Sequence, residues 1–160
     1  MKSPITIDFV VLEGNLGLRI SDILSLRLSD IVRDGDRYRL EITEQKTKKK
    51  RVFTVPLVIQ QYIENYCLRN GIGKNEKIFD LTERAISKQL ALVCDYLGFE
   101  GIGTHSFRKW YATEIYKNNG YDITLVQRLL QHSSASITQR YIGIEPQRIE
   151  EAIEGHAQLL

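Results

Sequence analysis

Pro56 divides this 160-residue chain into two regimes of hydrophobic spacing. Ahead of it, Tyr38, Leu40 and Ile42 alternate with Arg37, Arg39 and Glu41, and Val52-Phe53-Thr54-Val55 follows shortly after. A period of two is what a half-buried strand requires, because successive side chains leave opposite faces of a pleated backbone. Behind Pro56 the apolar residues recur every three or four positions, the period of a helix lying on a core. The expected fold is therefore mostly α with a small antiparallel β-sheet in the N-terminal third, an α+β class.

Asp34-Gly35-Asp36 reads as the turn into the first strand. Lys46-Thr47-Lys48-Lys49-Lys50-Arg51, five cations in six residues, reads as the next turn. Together they predict a hairpin or a three-stranded meander with a basic tip. Residues 5–15 suit a buried helix or a strand, and helix is favoured because the next segment needs a surface to pack on. From Arg19 to Leu28, the apolar Ile20, Ile23, Leu24 and Leu28 keep helical spacing, with Ser21, Asp22 and Ser25 on the wet face.

After Pro56, helices are expected from Leu57 to about Asn70, and from Glu83 to Leu97 behind a Thr82 cap. Others are expected from Thr104 to about Lys117, from Asp122 to Gln131, before Tyr141, and from Gln147 to Leu160. The second carries Ile86, Leu90, Val93, Cys94 and Leu97 on one side. Ser133 and Ser134 are N-cap candidates for the Tyr141 helix, which Gly143 and Pro146 would stop.

No internal repeat or linker interrupts the pattern, so a single domain over 1–160 is expected, long enough to bury a core. With 42% hydrophobic and 26% charged residues, the composition is that of a globular protein acting in water. No apolar run approaches the ~20 residues of a membrane span, so no membrane partner is expected and the cytoplasm is the expected location. Cys67 and Cys94 lack a CxxC or a histidine at metal spacing. They are expected to be buried thiols in a reducing compartment, with neither metal nor cofactor. The net charge of +2 is too small to argue for nucleic acid by itself; the clustering of lysines argues more.

Three stretches carry candidate chemistry. His105 and Arg108 stand three apart at a predicted helix start, so they face the same way. Free N–H groups and a partial positive charge make a helix N-terminus suit a phosphate, and an arginine fork bonds two of its oxygens at once. Capping by the histidine and a surface ion pair for the arginine is the competing reading. Arg19 heads a helix behind Gly17, which lets a backbone approach closely. An ordinary interhelix arginine paired with Asp22 is its alternative. His132 precedes Tyr141 by nine residues, with a short helix between them. A phenol titrating near pH ~10 attacks phosphorus only if cations stabilise the phenolate and the charge spreading over the phosphate oxygens. Two arginines and two histidines supply that field without a metal. A lysine of the basic tip can protonate the departing sugar oxygen, although a solvated charge run is the bland reading of the same residues.

The stretches GLRISDILSLRLSDI, EQKTKKKRVFTVPL, THSFRKWYATEIY and LLQHSSASITQRYIGI, in this order, resemble the catalytic domain of the tyrosine recombinases, the phage-integrase family. The resemblance covers roughly Asn15 to Glu145 and looks closest to bacterial integrases of mobile elements. It implies that Arg19 and Arg108 clamp the scissile phosphate, His105 assists proton transfer at the tyrosine, and His132 hydrogen-bonds the phosphate. It further implies in-line attack by Tyr141, leaving a 3′-phosphotyrosyl bond and a free 5′-hydroxyl. The lysine general acid falls on Lys46, with Lys48 a competitor because the run to Pro56 is about two residues longer than usual. Asp22 takes the family's supporting acidic position. Lys48, Lys49, Lys50 and Arg51 are the expected DNA contacts, double-stranded DNA the expected partner, and no metal or cofactor is implied.

Lys109 stands where many members have a second histidine, a departure that should leave the site working. The family's N-terminal DNA-clamping domain is not expected in this chain, which reads as a catalytic piece. Residues 147–160, with Ile149, Ile153 and Leu160 beside Ala152 and Ala157, either dock on their own core or, as the resemblance implies, contact a neighbour in a tetramer on DNA. The implied activity is site-specific strand cleavage and rejoining. Type IB topoisomerase-like relaxation and a non-catalytic DNA-binding regulator are the alternatives.

Overall fold

A computed structural model describes residues 5–143 and 145–156, apart from the side chains of 145–149. The chain divides into two compact units, residues 1–108 and 109–160. In the first, α1 (Ile5–Leu16) resolves the ambiguity of residues 5–15 in favour of helix. It ends where Gly17, at φ 60°, donates its N–H to the Glu13 carbonyl over 2.9 Å. That left-handed turn is one glycine adopts without a Cβ clash.

Helix α2 (Ile20–Ser25) is shorter than the expected span to Leu28. Leu26 is extended and a 3₁₀ turn, Leu28–Asp30, follows. The reason is tertiary: the Leu26 carbonyl accepts the Ile78 N–H at 2.9 Å and Arg27 bridges to Lys77, so the chain gives up helical bonds for a partner distant in sequence.

The sheet is the three-stranded form of the two alternatives. Strands β1 (Ile31–Asp34), β2 (Arg37–Thr43) and β3 (Lys50–Val55) are antiparallel in the order β1-β2-β3. Leu40 lies opposite Ile31 and Phe53 and is fully buried. Tyr38 and Ile42 pack on the same core, as their alternation requires.

Helices α3 (Leu57–Asn70) and α4 (Glu83–Leu97) complete this unit. Phe79, between them in sequence, meets Phe9 edge-on at 5.9 Å and Tyr66 at 5.5 Å. The Thr82 hydroxyl caps α4 by accepting the Ala85 N–H at 3.2 Å. On α4 only Ile86, Leu90 and Cys94, spaced by four, are buried. Val93 and Leu97 are 41% and 54% exposed, because α4 meets the core along one narrow row. Leu57 opens α3 on the surface. Cys67 and Cys94 are both free and buried, and burial pushes the Cys67 thiol up.

Helix α5 (Ser106–Asn118) begins two residues later than expected. In the second unit its later turns join α6 (Ile123–Leu130) and α7 (Ala135–Ile142) around Ala112, Tyr116, Val126, Leu130 and Ile142. Asp122 and Ser134 cap α6 and α7 with side-chain oxygens. Helix α8 (Glu145–His156) follows. Of the apolar tail stripe, Ala152 and Ile153 are exposed, while Ile149, Ala157 and Leu160 lie outside the described side chains.

The β2–β3 turn forces a lysine into a glycine conformation. Lys48 has φ 58° and donates its N–H to the Glu44 carbonyl over 3.0 Å. A left-handed non-glycine residue costs ~1 kcal/mol or more. Lys48→Gly should therefore raise stability by ~0.5–1 kcal/mol in urea unfolding. A midpoint that stays put or falls would show that the turn carries no such strain.

Candidate active site

The left-handed turn at Gly17 points its carbonyl to Arg108, whose Nε donates to it over 3.0 Å. Two residues on, Arg19 is the N-cap of α2. Two arginines 89 positions apart in sequence are thus set on one turn of backbone. Arg108 lies in the first turn of α5 and is 4% exposed. His105 immediately precedes that helix and is exposed, and the Ser106 hydroxyl accepts the Gly103 N–H at 2.9 Å to shape the entry.

Beneath this turn lies Glu13, fully buried, with neither carboxyl oxygen hydrogen-bonded. Burial pushes its carboxyl up to about 8 against the downward pull of the Arg108 charge. Most of Glu13 is then protonated at neutral pH.

Arg19 is held by a second buried acid. Its Nη1 donates to Glu44 Oε2 at 2.7 Å. The Thr47 hydroxyl donates to that same oxygen at 2.6 Å, and Arg51 Nη1 approaches the other at 3.4 Å. Burial alone would raise the Glu44 carboxyl, but the Thr47 hydroxyl, Arg19 and Arg51 outweigh it and hold it below the usual range. Asp22, expected on the wet face of α2, is 3% exposed, because its Oδ1 accepts the Gln45 N–H at 2.8 Å. Burial pushes the Asp22 carboxyl up, with the Gln45 N–H opposing. Lys46 lies between these two tethers, at Gln45 and Thr47, in an exposed turn.

The basic tip divides. Lys48, Lys49 and Lys50 are exposed, whereas Arg51, expected among the DNA contacts, is 3% exposed. Its guanidinium turns onto Glu44 and lies 4.9 Å from the Phe53 ring centre. A signal for this was available: counting back by two from Val55 and Phe53 places Arg51 on the inner face of β3. Glu44 and Glu13 had no comparable local signal, since nothing in their neighbouring residues marks an acid as buried.

In the second unit, His132 and Tyr141 come together. Their rings meet edge-to-face with centroids 5.5 Å apart and planes at 77°. His132 Nδ1 is 2.9 Å from Thr138 Oγ1, and Thr138 is fully buried, so the imidazole is oriented from the core side. Gln131, at φ 55°, closes α6 in the left-handed conformation, and His132 donates its N–H to the Gln127 carbonyl at 3.0 Å. Tyr141 lies in the last turn of α7, which Gly143 ends. Among the described residues no His, Cys, Asp and Glu side chains group as metal ligands, and no helix is long and apolar enough to cross a membrane.

A fold of this order, bearing two anchored arginines and a histidine–tyrosine pair, defines a class. The chain belongs to the phage integrase family, whose model matches residues 9–148. It is 38% identical to the probable integrase/recombinase YoeC of Bacillus subtilis (strain 168) over 139 residues, 82% of this chain and 73% of that protein. It is 29% identical over 153 residues to the tyrosine recombinase XerA of Pyrococcus furiosus, covering 91% of this chain but only 52% of the relative. In structure it resembles the XerH site-specific recombinase bound to its palindromic difH substrate in a post-cleavage complex. There the TM-score is 0.72 at 22% identity, over 96% of this chain and 47% of the other. The chain thus spans about half the length of XerA and XerH.

The buried acid beside Arg108 makes stability depend on pH. Glu13 binds its proton more tightly folded, at about 8, than its ordinary value of 4.5. Its stabilising contribution is complete below that ordinary value and is lost as pH rises through the folded value. The difference amounts to roughly 5 kcal/mol across that window. In Glu13→Gln the decline in urea midpoint between about pH 5 and pH 8 should be clearly shallower than in the parent. Parallel declines in the two proteins would show that Glu13 does not titrate in this range.

Proposed function

We propose that this chain is the catalytic part of a site-specific DNA recombinase, an integrase of the tyrosine type encoded on a mobile element. It cleaves and rejoins double-stranded DNA through a covalent 3′-phosphotyrosyl intermediate. Arg19 and Arg108 bond the non-bridging oxygens of the scissile phosphate, and His132 donates a further hydrogen bond to it. Tyr141 Oη attacks phosphorus in line, with His105 accepting the phenol proton. As the P–O5′ bond breaks, Lys46 gives a proton to the departing 5′-oxygen. Rejoining reverses each transfer, so the energy of the phosphodiester is kept and neither nucleotide nor metal is consumed.

The observation that carries this reading is the anchoring of Arg19 and Arg108 on the Gly17 turn. Two guanidiniums held in fixed geometry suit the dispersed charge of a phosphoryl transition state. Lys46 is favoured over Lys48 because its neighbours on both sides are tethered, Gln45 to Asp22 and Thr47 to Glu44. Asp22 supports the site through that tether. Lys48, Lys49 and Lys50 contact the DNA backbone, and the tail from residue 147 links copies of the protein in a tetramer. The reaction takes place on DNA in the cytoplasm.

The test uses a pool of duplexes with randomised flanks and a nick a few nucleotides 3′ of the centre. Cleavage near the nick releases a short 5′-hydroxyl fragment and leaves protein trapped on the 3′-phosphate. A denaturation-resistant adduct mapping to Tyr141 is expected, and Tyr141→Phe should abolish it. Lys46→Ala should slow cleavage of the enriched duplex by ~10²–10⁴-fold at saturating DNA. Lys48→Ala should instead weaken DNA binding while sparing most of that rate. No adduct, or one that survives Tyr141→Phe, overturns the enzyme reading.

A further inference from the structure

We propose that Thr47 and Glu44 are positioning residues that set the general-acid lysine and the phosphate-binding arginine as one unit. This rests on the reading of Lys46 as proton donor. Glu44 Oε2 is shared, accepting from Arg19 Nη1 at 2.7 Å and from the Thr47 hydroxyl at 2.6 Å. Thr47 is the residue after Lys46, and its Oγ1 also accepts the Lys49 N–H at 3.3 Å. The turn bearing the lysine is therefore pinned, through one oxygen atom, to the guanidinium that meets the phosphate.

The pin is well founded. Glu44 is fully buried, and Arg51, itself 3% exposed, occupies its other oxygen. Its backbone is fixed too, with the N–H donated to the Lys49 carbonyl at 2.9 Å and the carbonyl accepting the Lys48 N–H at 3.0 Å. A charge-assisted bond is about twice as strong as a neutral one, so a hydroxyl held by this carboxylate has little freedom to rotate away. A lysine ammonium on a flexible stem gains rate only when its backbone is held at the right distance from the leaving oxygen. Thr47 holds that backbone, whereas Glu44 holds both the turn and Arg19. The two residues should consequently fail in different ways.

A substrate that needs no acid separates those failures. In a duplex whose scissile 5′-oxygen is replaced by sulfur, the leaving thiolate departs without a proton. The enriched duplex is cleaved in both forms, at saturating DNA, by the parent, Lys46→Ala, Thr47→Val, Glu44→Gln and Arg19→Ala, with folding checked by circular dichroism. On the oxygen substrate Thr47→Val should be slower by ~10-fold, a fraction of the full loss of an acid. On the sulfur substrate it should return to nearly the parent rate, as Lys46→Ala should. Arg19→Ala should remain slow on both, and Glu44→Gln should recover only part of its loss.

If Lys46→Ala is rescued by sulfur but Thr47→Val is at parent rate on oxygen, or is slowed equally on both substrates, the proposed link is wrong and the lysine assignment stands. If Lys46→Ala is not rescued, the lysine assignment fails and the link falls with it. Loss of the Tyr141 adduct in the parent would instead mark failure of the enzyme reading itself.

Discussion

Taking a carboxylate out of water costs several kcal/mol unless cations and hydrogen bonds meet it inside the protein. Glu44 is such a carboxylate, fully buried where β2 turns toward β3, and three donors meet it. Each donor comes from a different place: Arg19 from the head of α2, Thr47 from the turn, and Arg51 from the inner face of β3. Satisfying one charge therefore fixes three pieces of chain against one another. Removing one partner leaves a buried carboxylate incompletely satisfied, which costs more than losing a surface ion pair. Asp22 adds a fourth connection, from α2 to the backbone of Gln45. The basic turn is consequently a built feature at its base, while Lys46, Lys48, Lys49 and Lys50 stand exposed to solvent.

The elements that sequence spacing marks out are those whose stability is local. Thr82, Asp122 and Ser134 each cap the helix that their residue type predicts, and Gly71 and Gly143 end theirs. The period-two pattern of β2 and the Gly35 turn emerge as expected, since register and turn type are written into neighbouring residues. What the spacing misplaces depends on partners far along the chain. Leu28 continues a helical pattern, yet the Ile78 N–H draws the Leu26 carbonyl out of it. The stripe on α4 reads wider than it is because Val93 and Leu97 keep helical spacing yet remain exposed.

The candidate site shows the same division. Each reactive residue has an ordinary reading when taken singly, and it is the motifs in order, with the family resemblance, that mark Arg19, His105, Arg108, His132 and Tyr141 as candidates. The groups that hold them carry no such mark. Thr138 behind His132, the Gly17 carbonyl behind Arg108, and Glu44 behind Arg19 are defined by contacts across 6, 91 and 25 positions. A buried acid is also invisible to pattern reading, since Asp22, Glu13 and Glu44 look like any solvated carboxylate until their burial is known.

The two arginines end up with different electrostatic surroundings. Arg19 faces a carboxylate held in its charged form, so part of its field is already answered within the fold. Arg108 lies near an acid that burial keeps largely protonated at neutral pH, so little of its charge is answered from that side. The fold meets the cost of burying Glu13 beside Arg108 by letting the acid stay largely neutral. Arg19, by contrast, is held in place by its ion pair, and its advantage is geometry more than field. One arginine is fixed by a charged carboxylate and the other by the Gly17 carbonyl beside a largely neutral acid, so the fold holds the two by different means.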